Sequence, residues 1–388
     1  MLKGQAHVDA ACDLLLCALP PKPAKRAVPT PLLSCSELPP RATPLTSLRR
    51  FAPHRAVTAC NLCQSNDGTL VEIKDRHGRP LPVTCCASCG LTYVDPIPTR
   101  EELARFYAER YRLEYKQASR PRLKHIYRAG KVALGRLRIA GLLAAPTARV
   151  LDCGAGGGEF SYLLTSRGYR LTGIEPNDGY REYARAEYGI DLRPGTLDDN
   201  EFGPAEFDLV TIFHVLEHVP DPRAALRRLA AWLKPGGHLY IEVPNALTDV
   251  SSPSNLYHRA HLYYFAASPL AALARQAGLA TVLIDGGLQN ANLTAIFCKR
   301  GDADAQTEAR SQAPLRSGRS ATHDAVVAAN RQRTLTRYLT AGTTLANVVP
   351  RLVVRAAERR VERSGLSGRA ALDRLYESEA PQLAAAGA

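Results

Sequence analysis

The chain has no long apolar run, no internal repeat and no phosphate-loop lysine, and each gap removes a class of function. Nothing approaches the roughly 18 consecutive apolar residues of a spanning helix, so the 388-residue chain is not expected to cross a bilayer. Its start, "MLKGQAHVDAACDLLLCALPP", has only a short apolar core, broken by Asp13, and no small-residue cleavage site follows. A cytoplasmic protein is therefore expected. Also missing is any block of one charge: the formal net charge of +13 suits an anionic partner, but arginine is spread along the whole chain. There is no basic stripe interleaved with aromatics, the pattern of single-stranded RNA readers.

What the chain does have is "RVLDCGAGGGEF", Arg149 to Phe160: an apolar run that ends in an acid and spills into glycines. A dinucleotide fingerprint wants G-x-G-x-x-G, and here Gly154 and Gly156 are followed by Glu159 at the sixth position. A P-loop wants Lys followed by Ser or Thr, and none is present. Both phosphate readings are disfavoured. What remains is acid-x-G-x-G-x-G, Asp152, Gly154, Gly156 and Gly158, at a strand-to-helix turn, with Glu175 ending the next strand in "LTGIEP". A carboxylate placed like Glu175 can take both hydroxyls of a ribose. Asp152 sits where it could meet a cationic amine, which suits a nucleotide-like cofactor with an amino-acid end.

The surrounding texture divides the chain into five stretches. Residues 1–58, rich in Pro, Ala and Arg, read as a disordered leader. Residues 59–97 carry two C-x-x-C pairs around short β-prone pieces. Residues 98–147 read as a helical cap: Thr99 and Glu102 have capping-box spacing, Leu103, Phe106, Tyr107 and Tyr111 mark one helix face, and a second helix spans Leu123 to Leu143. From 148 to 300 strands and helices alternate, with helices at 158–167, 178–188, 221–233 and 267–277, which argues an α/β fold with a parallel sheet. The last two strands are joined by "GGLQNA", too short for a helical crossover, so they should form an antiparallel hairpin. Residues 301–388 read as a linker and a basic helical tail, solvated or loosely docked.

"VLDCGAGGGEF", "IEPND", "FDLVTIFHVLEHVPDP" and "LKPGGHLYIEVPN" resemble, in order, the motifs of class I S-adenosylmethionine-dependent methyltransferases. The resemblance covers about 148 to 300 and implies a Rossmann-like seven-stranded sheet with helices on both faces. It implies that the loop from Asp152 to Gly158 lies against the methionine part of S-adenosylmethionine and that Glu175 holds the ribose. It also sets Thr196 and Leu197 beside the adenine, with Phe213 and His214 lining the site. The ribbon and the later "YHRAHLYYF" resemble a bacterial subgroup acting in sugar, polysaccharide and natural-product pathways, so a sugar-type acceptor is expected. Alternatives are RNA methylation, since some rRNA methyltransferases carry a four-cysteine module ahead of this fold, and a non-catalytic scaffold.

Cys60, Cys63, Cys86 and Cys89 offer enough thiolates for a closed, structural zinc site, and Cys86 rather than Cys85 keeps the two-residue gap. Methylation of an oxygen or carbon needs a base, and His214, His218, His258 and His261 all fall at strand carboxyl ends, where ligands of open α/β sheets bind. Quinone-pathway O-methyltransferases have a similar Glu-His pair with a further Glu three positions earlier, proposed to hold a divalent metal. In this chain that earlier position is His214, which argues against a metal there.

Overall fold

The computed structural model describes residues 58–106, 121–250, 256–301, 319–334 and 348–385. The leader expected at 1–58 falls, but for Thr58, outside the described residues, as do Tyr107 and Tyr111. In chain order, β1 (Gly68–Lys74), β2 (Pro80–Cys86) and β3 (Thr92–Val94) form an antiparallel ribbon. Next come α1 (Arg100–Phe106) and α2 (Leu123–Leu143). The Thr99 amide donates to Glu102 Oε2 at 2.8 Å and the Glu102 amide to Thr99 Oγ1 at 3.2 Å, so the capping box that starts α1 is formed.

The larger sheet is wound from β4 (Arg149–Cys153), α3 (Glu159–Ser166), β5 (Arg170–Glu175), α4 (Asp178–Tyr188), β6 (Arg193–Pro194), β7 (Phe207–Phe213), α5 (Pro222–Trp232) and β8 (Leu233–Pro244). A two-residue strand β9 (Tyr263–Tyr264) and α6 (Ala267–Gln276) follow, then the expected hairpin of β10 (Leu279–Asp285) and β11 (Asn292–Lys299). The strand order is β10-β11-β8-β7-β4-β5-β6, seven strands, parallel from β8 to β6. β7 is buried along nearly its whole length, as a strand covered on both faces by helices must be. Asn177 caps α4, and Asp221 caps α5 with Pro222 in its first turn, so each helix starts where its sequence leaves a side-chain acceptor for an orphan amide.

Two contacts tie the flanking stretches to the larger domain. The four-cysteine ribbon does not stand apart: β3 pairs with β9, giving a second sheet of order β1-β2-β3-β9 that includes residues from the far end of the larger domain. The C-terminal stretch is not a loose appendage either. Helix α7 (Ala321–Gln332) covers the ribbon, with buried His323 bonded to Thr69 Oγ1 at 2.9 Å. Helices α8 (Val348–Glu362) and α9 (Gly368–Ala385) pack on α2; Leu372 and Leu375 of α9 are buried against it. Burying two leucines contributes about 3–6 kcal/mol, enough to dock a helix whose composition alone reads as solvated.

Candidate functional site

At the β4–α3 turn the backbone does what the glycines predicted. Gly154, Gly156 and Gly158 take φ of +77°, +60° and +86°. A Cβ on Gly154 would lie 2.4 Å from Val215 Cγ2, while beside Gly156 nothing comes within 4 Å, so the turn presents bare backbone to open space. Glu175, buried at the end of β5, folds onto this turn and accepts from the Gly156 amide at 2.8 Å and the Asn177 amide at 3.0 Å. Asp152 is enclosed by the protein. It is 2 % exposed, and its carboxylate accepts from Ser161 Oγ at 2.8 Å and Thr211 Oγ1 at 2.9 Å. Burial pushes its pKa up, only partly offset by those hydroxyls. It braces β4 against α3 and β7.

Thr196 and Leu197 lie in a turn closed by Asp199, which accepts from the Thr196 amide and hydroxyl at 2.8 and 2.7 Å. Phe213 ends β7 beneath the Arg136 guanidinium, 3.9 Å from ring centroid to Cζ. Arg136, from α2, pairs with Glu242 of β8 at 2.5 Å, and Tyr240 donates to the same carboxylate at 3.0 Å. Above these groups lies a cavity of about 350 Å³ whose walls include Ala155, Glu159, Arg136, His214, Glu242 and Asn292. Of the residues predicted for the cofactor, only His214 lines it; it therefore adjoins the glycine turn without coinciding with it.

His214 has φ +56°, a left-handed conformation uncommon for a residue with a side chain, and it turns the chain off β7. Its Nδ1 lies 3.4 Å from Glu217 Oε1. Glu217 is fully buried, and neither carboxylate oxygen accepts a hydrogen bond. His261 Nε2 is 3.8 Å from the same oxygen, and the His258 and His261 rings lie 3.5 Å apart between centroids. His218 Nδ1 donates to the Ala260 carbonyl at 2.6 Å, which anchors it to the loop before β9. Of the four histidines predicted as catalytic candidates, His214, His218 and His261 thus gather at one buried carboxylate, and His258 lies against His261. Burial, reinforced by Arg76, pushes His258 down to about 3, and burial with the neighbouring imidazoles holds His261 well below its ordinary value. Both rings are therefore neutral at neutral pH.

Across the ribbon, Cys60 Sγ lies 3.5 Å from Cys89 Sγ and Cys63 Sγ 3.4 Å from Cys86 Sγ, and all four sulfurs fall within 4.8 Å of one another. Four sulfurs about 2.3 Å from one zinc sit about 3.8 Å apart on a tetrahedron, so the set fits that ion. Cys85 points elsewhere, toward the Gly90 carbonyl, and burial pushes its thiol up to about 11.

A family profile described as a methyltransferase domain matches residues 123–284. Over those residues the chain is similar to methyltransferase domains. Curated relatives include the ubiquinone biosynthesis O-methyltransferase of Marinobacter nauticus, 37 % identical over 105 residues that make up 25 % of this chain and 44 % of that one. Its counterpart in Bordetella bronchiseptica is 35 % identical over 148 residues, 34 % of this chain and 61 % of the relative. The chain thus spans about half the length of the curated relatives it matches. Among solved structures, the 1,6-didemethyltoxoflavin-N1-methyltransferase of Burkholderia thailandensis aligns at 20 % identity, over 61 % of this chain and all of that one, with a TM-score of 0.40.

Several residues that shape the methyltransferase domain's site were not singled out in the sequence. Glu217 stands in the quoted "VLEHVP", but only the fold reveals a buried carboxylate beside the imidazoles of His214, His218 and His261. Arg136 and Glu242 lie far apart in sequence and meet because α2 crosses the ends of β7 and β8. Arg76 comes from the β1–β2 turn, whose amide donates to the Tyr257 carbonyl at 2.9 Å, one residue before His258. Such long-range meetings leave no local spacing to read.

Proposed function

We propose that the protein is an S-adenosylmethionine-dependent methyltransferase acting on a hydroxyl oxygen of a small-molecule acceptor. The observation that carries this reading is Glu175 folded onto an open glycine turn at the carboxyl ends of parallel strands, beside a cavity lined by His214, whose ring also reaches Glu217. In this reading the turn from Gly154 to Gly158, held by Asp152, backs the methionine part, Glu175 takes the ribose hydroxyls, Thr196 and Leu197 flank the adenine, and Phe213 and His214 form a wall. S-adenosylmethionine, when bound, supplies a methyl group on a sulfonium. That methyl would go to the acceptor oxygen, and His261 or His258 would take the oxygen's proton. A neutral His261 has an unused Nδ1 to receive the proton, and Glu217 near its Nε2 stabilises the imidazolium that results. Cys60, Cys63, Cys86 and Cys89 hold a zinc whose closed coordination makes it structural.

An oxygen acceptor is supported by the name of the curated relatives; a sugar-type hydroxyl is the finer alternative that the ribbon suggests. The test is a calorimetric titration with S-adenosylmethionine, followed by methyl transfer from labelled cofactor to phenolic and sugar hydroxyls. Glu175→Ala should weaken cofactor binding by about 1.5–3 kcal/mol, the value of hydrogen bonds to a charged group. A folded wild-type protein that does not bind the cofactor would sink the proposal.

A further inference from the structure

Tyr257 and His258 lie between β8 and β9, outside any strand or helix, so no backbone ladder fixes them. Side chains take that task. The Tyr257 ring stands edge-on to Tyr264 at 4.8 Å between centroids, and the Tyr264 hydroxyl lies 3.2 Å from both the amide and the carbonyl of His258. The Tyr257 hydroxyl donates to Asn330 Oδ1 at 3.0 Å. Asn330 belongs to α7, well past residues 123–284 that the methyltransferase profile matches. The same oxygen accepts from Arg333 Nη1 at 2.9 Å, and Arg333 Nη2 donates to the Ala246 and Thr248 carbonyls at 3.1 and 3.0 Å, where the chain leaves β8. The Asn330 amide nitrogen donates to the Val71 carbonyl of β1. An amide oxygen has two lone pairs and both are used here, so the chain after β8 and the residue before His258 are fixed relative to each other through one atom.

We propose that Asn330, with Arg333, is a positioning residue for His258, and that the end of α7 is a clasp that sets the imidazole cluster from outside the matched methyltransferase region. The inference rests on reading His258 and His261 as the groups that meet the acceptor. A base must stand within hydrogen-bond reach of its proton, and a misplacement of about 1 Å costs about 100-fold in rate. The His261 ring lies against His258 at 3.5 Å between centroids, so a shift of Tyr257 is passed to both imidazoles. The clasp also keeps the His258 ring from water, and burial is the first cause of its lowered pKa. The charged and titratable groups that face this ring are Arg76, Asp75 and His77 of the β1–β2 turn, His218 after β7, and His261. None of these belongs to α7, so the clasp acts on His258 by placing it.

The experiment is nuclear magnetic resonance of the full chain with zinc supplied and carbon label in the imidazoles, between about pH 8 and about pH 5, with His258→Gln to assign the resonance. In the wild type His258 should not titrate over this range. In Tyr257→Phe, which removes only the hydroxyl's bond to Asn330, and in Asn330→Ala, it should titrate toward its ordinary value of about 6.5. Ser320→Ala is the control: it removes the hydroxyl that caps α7 by accepting from the His323 amide at 3.0 Å, and should lower Tm by about 2–4 °C while His258 stays silent. S-adenosylmethionine affinity should stay within about threefold in Tyr257→Phe and Asn330→Ala. The resonance needs neither cofactor nor acceptor, so a wild-type protein that binds no cofactor sinks the functional reading and leaves the clasp to be judged by His258. The proposal is overturned by wild-type His258 that titrates in this range, by its silence in both clasp variants, by clasp variants that lose cofactor affinity as well, or by Ser320→Ala moving His258 as far as Asn330→Ala does.

Discussion

The glycine turn and the imidazole cluster meet at His214, yet they are assembled in opposite ways. The turn comes from one run of chain, Arg149 to Phe160, plus the acid that ends the next strand, and its hydrogen bonds stay within β4, α3, β5 and β7. The cluster needs the residues after β7, the loop before β9 and the tip of the β1–β2 ribbon. Its backbone is stitched across them: the Leu262 amide donates to the Glu217 carbonyl at 2.7 Å and the Val94 amide to the Leu262 carbonyl at 2.9 Å. Cofactor chemistry shared by many enzymes can rest on a local device, while the acceptor side depends on parts that can vary independently.

Zinc removal is the strongest way to pull the two apart. Chelation, or Cys86→Ser, should cost the ribbon stability on the scale of the roughly 10–16 kcal/mol of structural zinc sites and abolish methyl transfer, while cofactor affinity stays within about threefold. Loss of cofactor binding together with zinc would show that the site is one unit. His261→Ala comes next: kcat should drop by about 10²- to 10⁴-fold at unchanged cofactor affinity. A rise in acceptor KM with kcat preserved would make His261 a ligand and not the base.

Acid should separate the two regions by sign. His258 and His261 are held below their unfolded value, so the unfolded chain takes up more protons below about pH 6.5 and the cluster loses stability as pH falls. Asp152 is raised, so the folded state takes up its proton first and the turn gains as pH falls toward the ordinary carboxylate range. Hydrogen exchange at pH 7.5 and pH 5 should show protection falling around residues 258–264 and held at 150–158; equal loss in both would contradict the comparison. The smallest effect is expected from Tyr263→Phe, which removes the bond from its hydroxyl to the Pro220 carbonyl at 3.0 Å. About 1 kcal/mol should be lost, lowering Tm by about 2–4 °C without touching cofactor affinity.

The same contrast decides what could be read without a structure. Gly154, Gly156, Gly158 and Glu175 are legible because positive φ and a strand-end acid leave residue types at fixed spacing. The cysteine set was legible for a similar reason, since a tetrahedral ion demands two close pairs. Asp152 could be placed at the strand end, but nothing in "VLDC" announces that Ser161 and Thr211 will close around it. Glu217's setting and Arg136's partner were hidden, being products of crossing elements. The tail was misread because arginine-rich composition masks the two leucines and the ion pairs that dock it on α2.

The β3–β9 pairing has a consequence for synthesis. On the edge away from β2, Thr92 and Tyr93 pair with Tyr264 and Tyr263, so the ribosome must deliver the intervening Rossmann-like strands before the ribbon's sheet is complete. Until then β3 is an open edge on a nascent chain, a place where a chaperone or a neighbouring polypeptide can pair first. A metal already seated at the four cysteines would keep that edge short and fixed in direction during the wait.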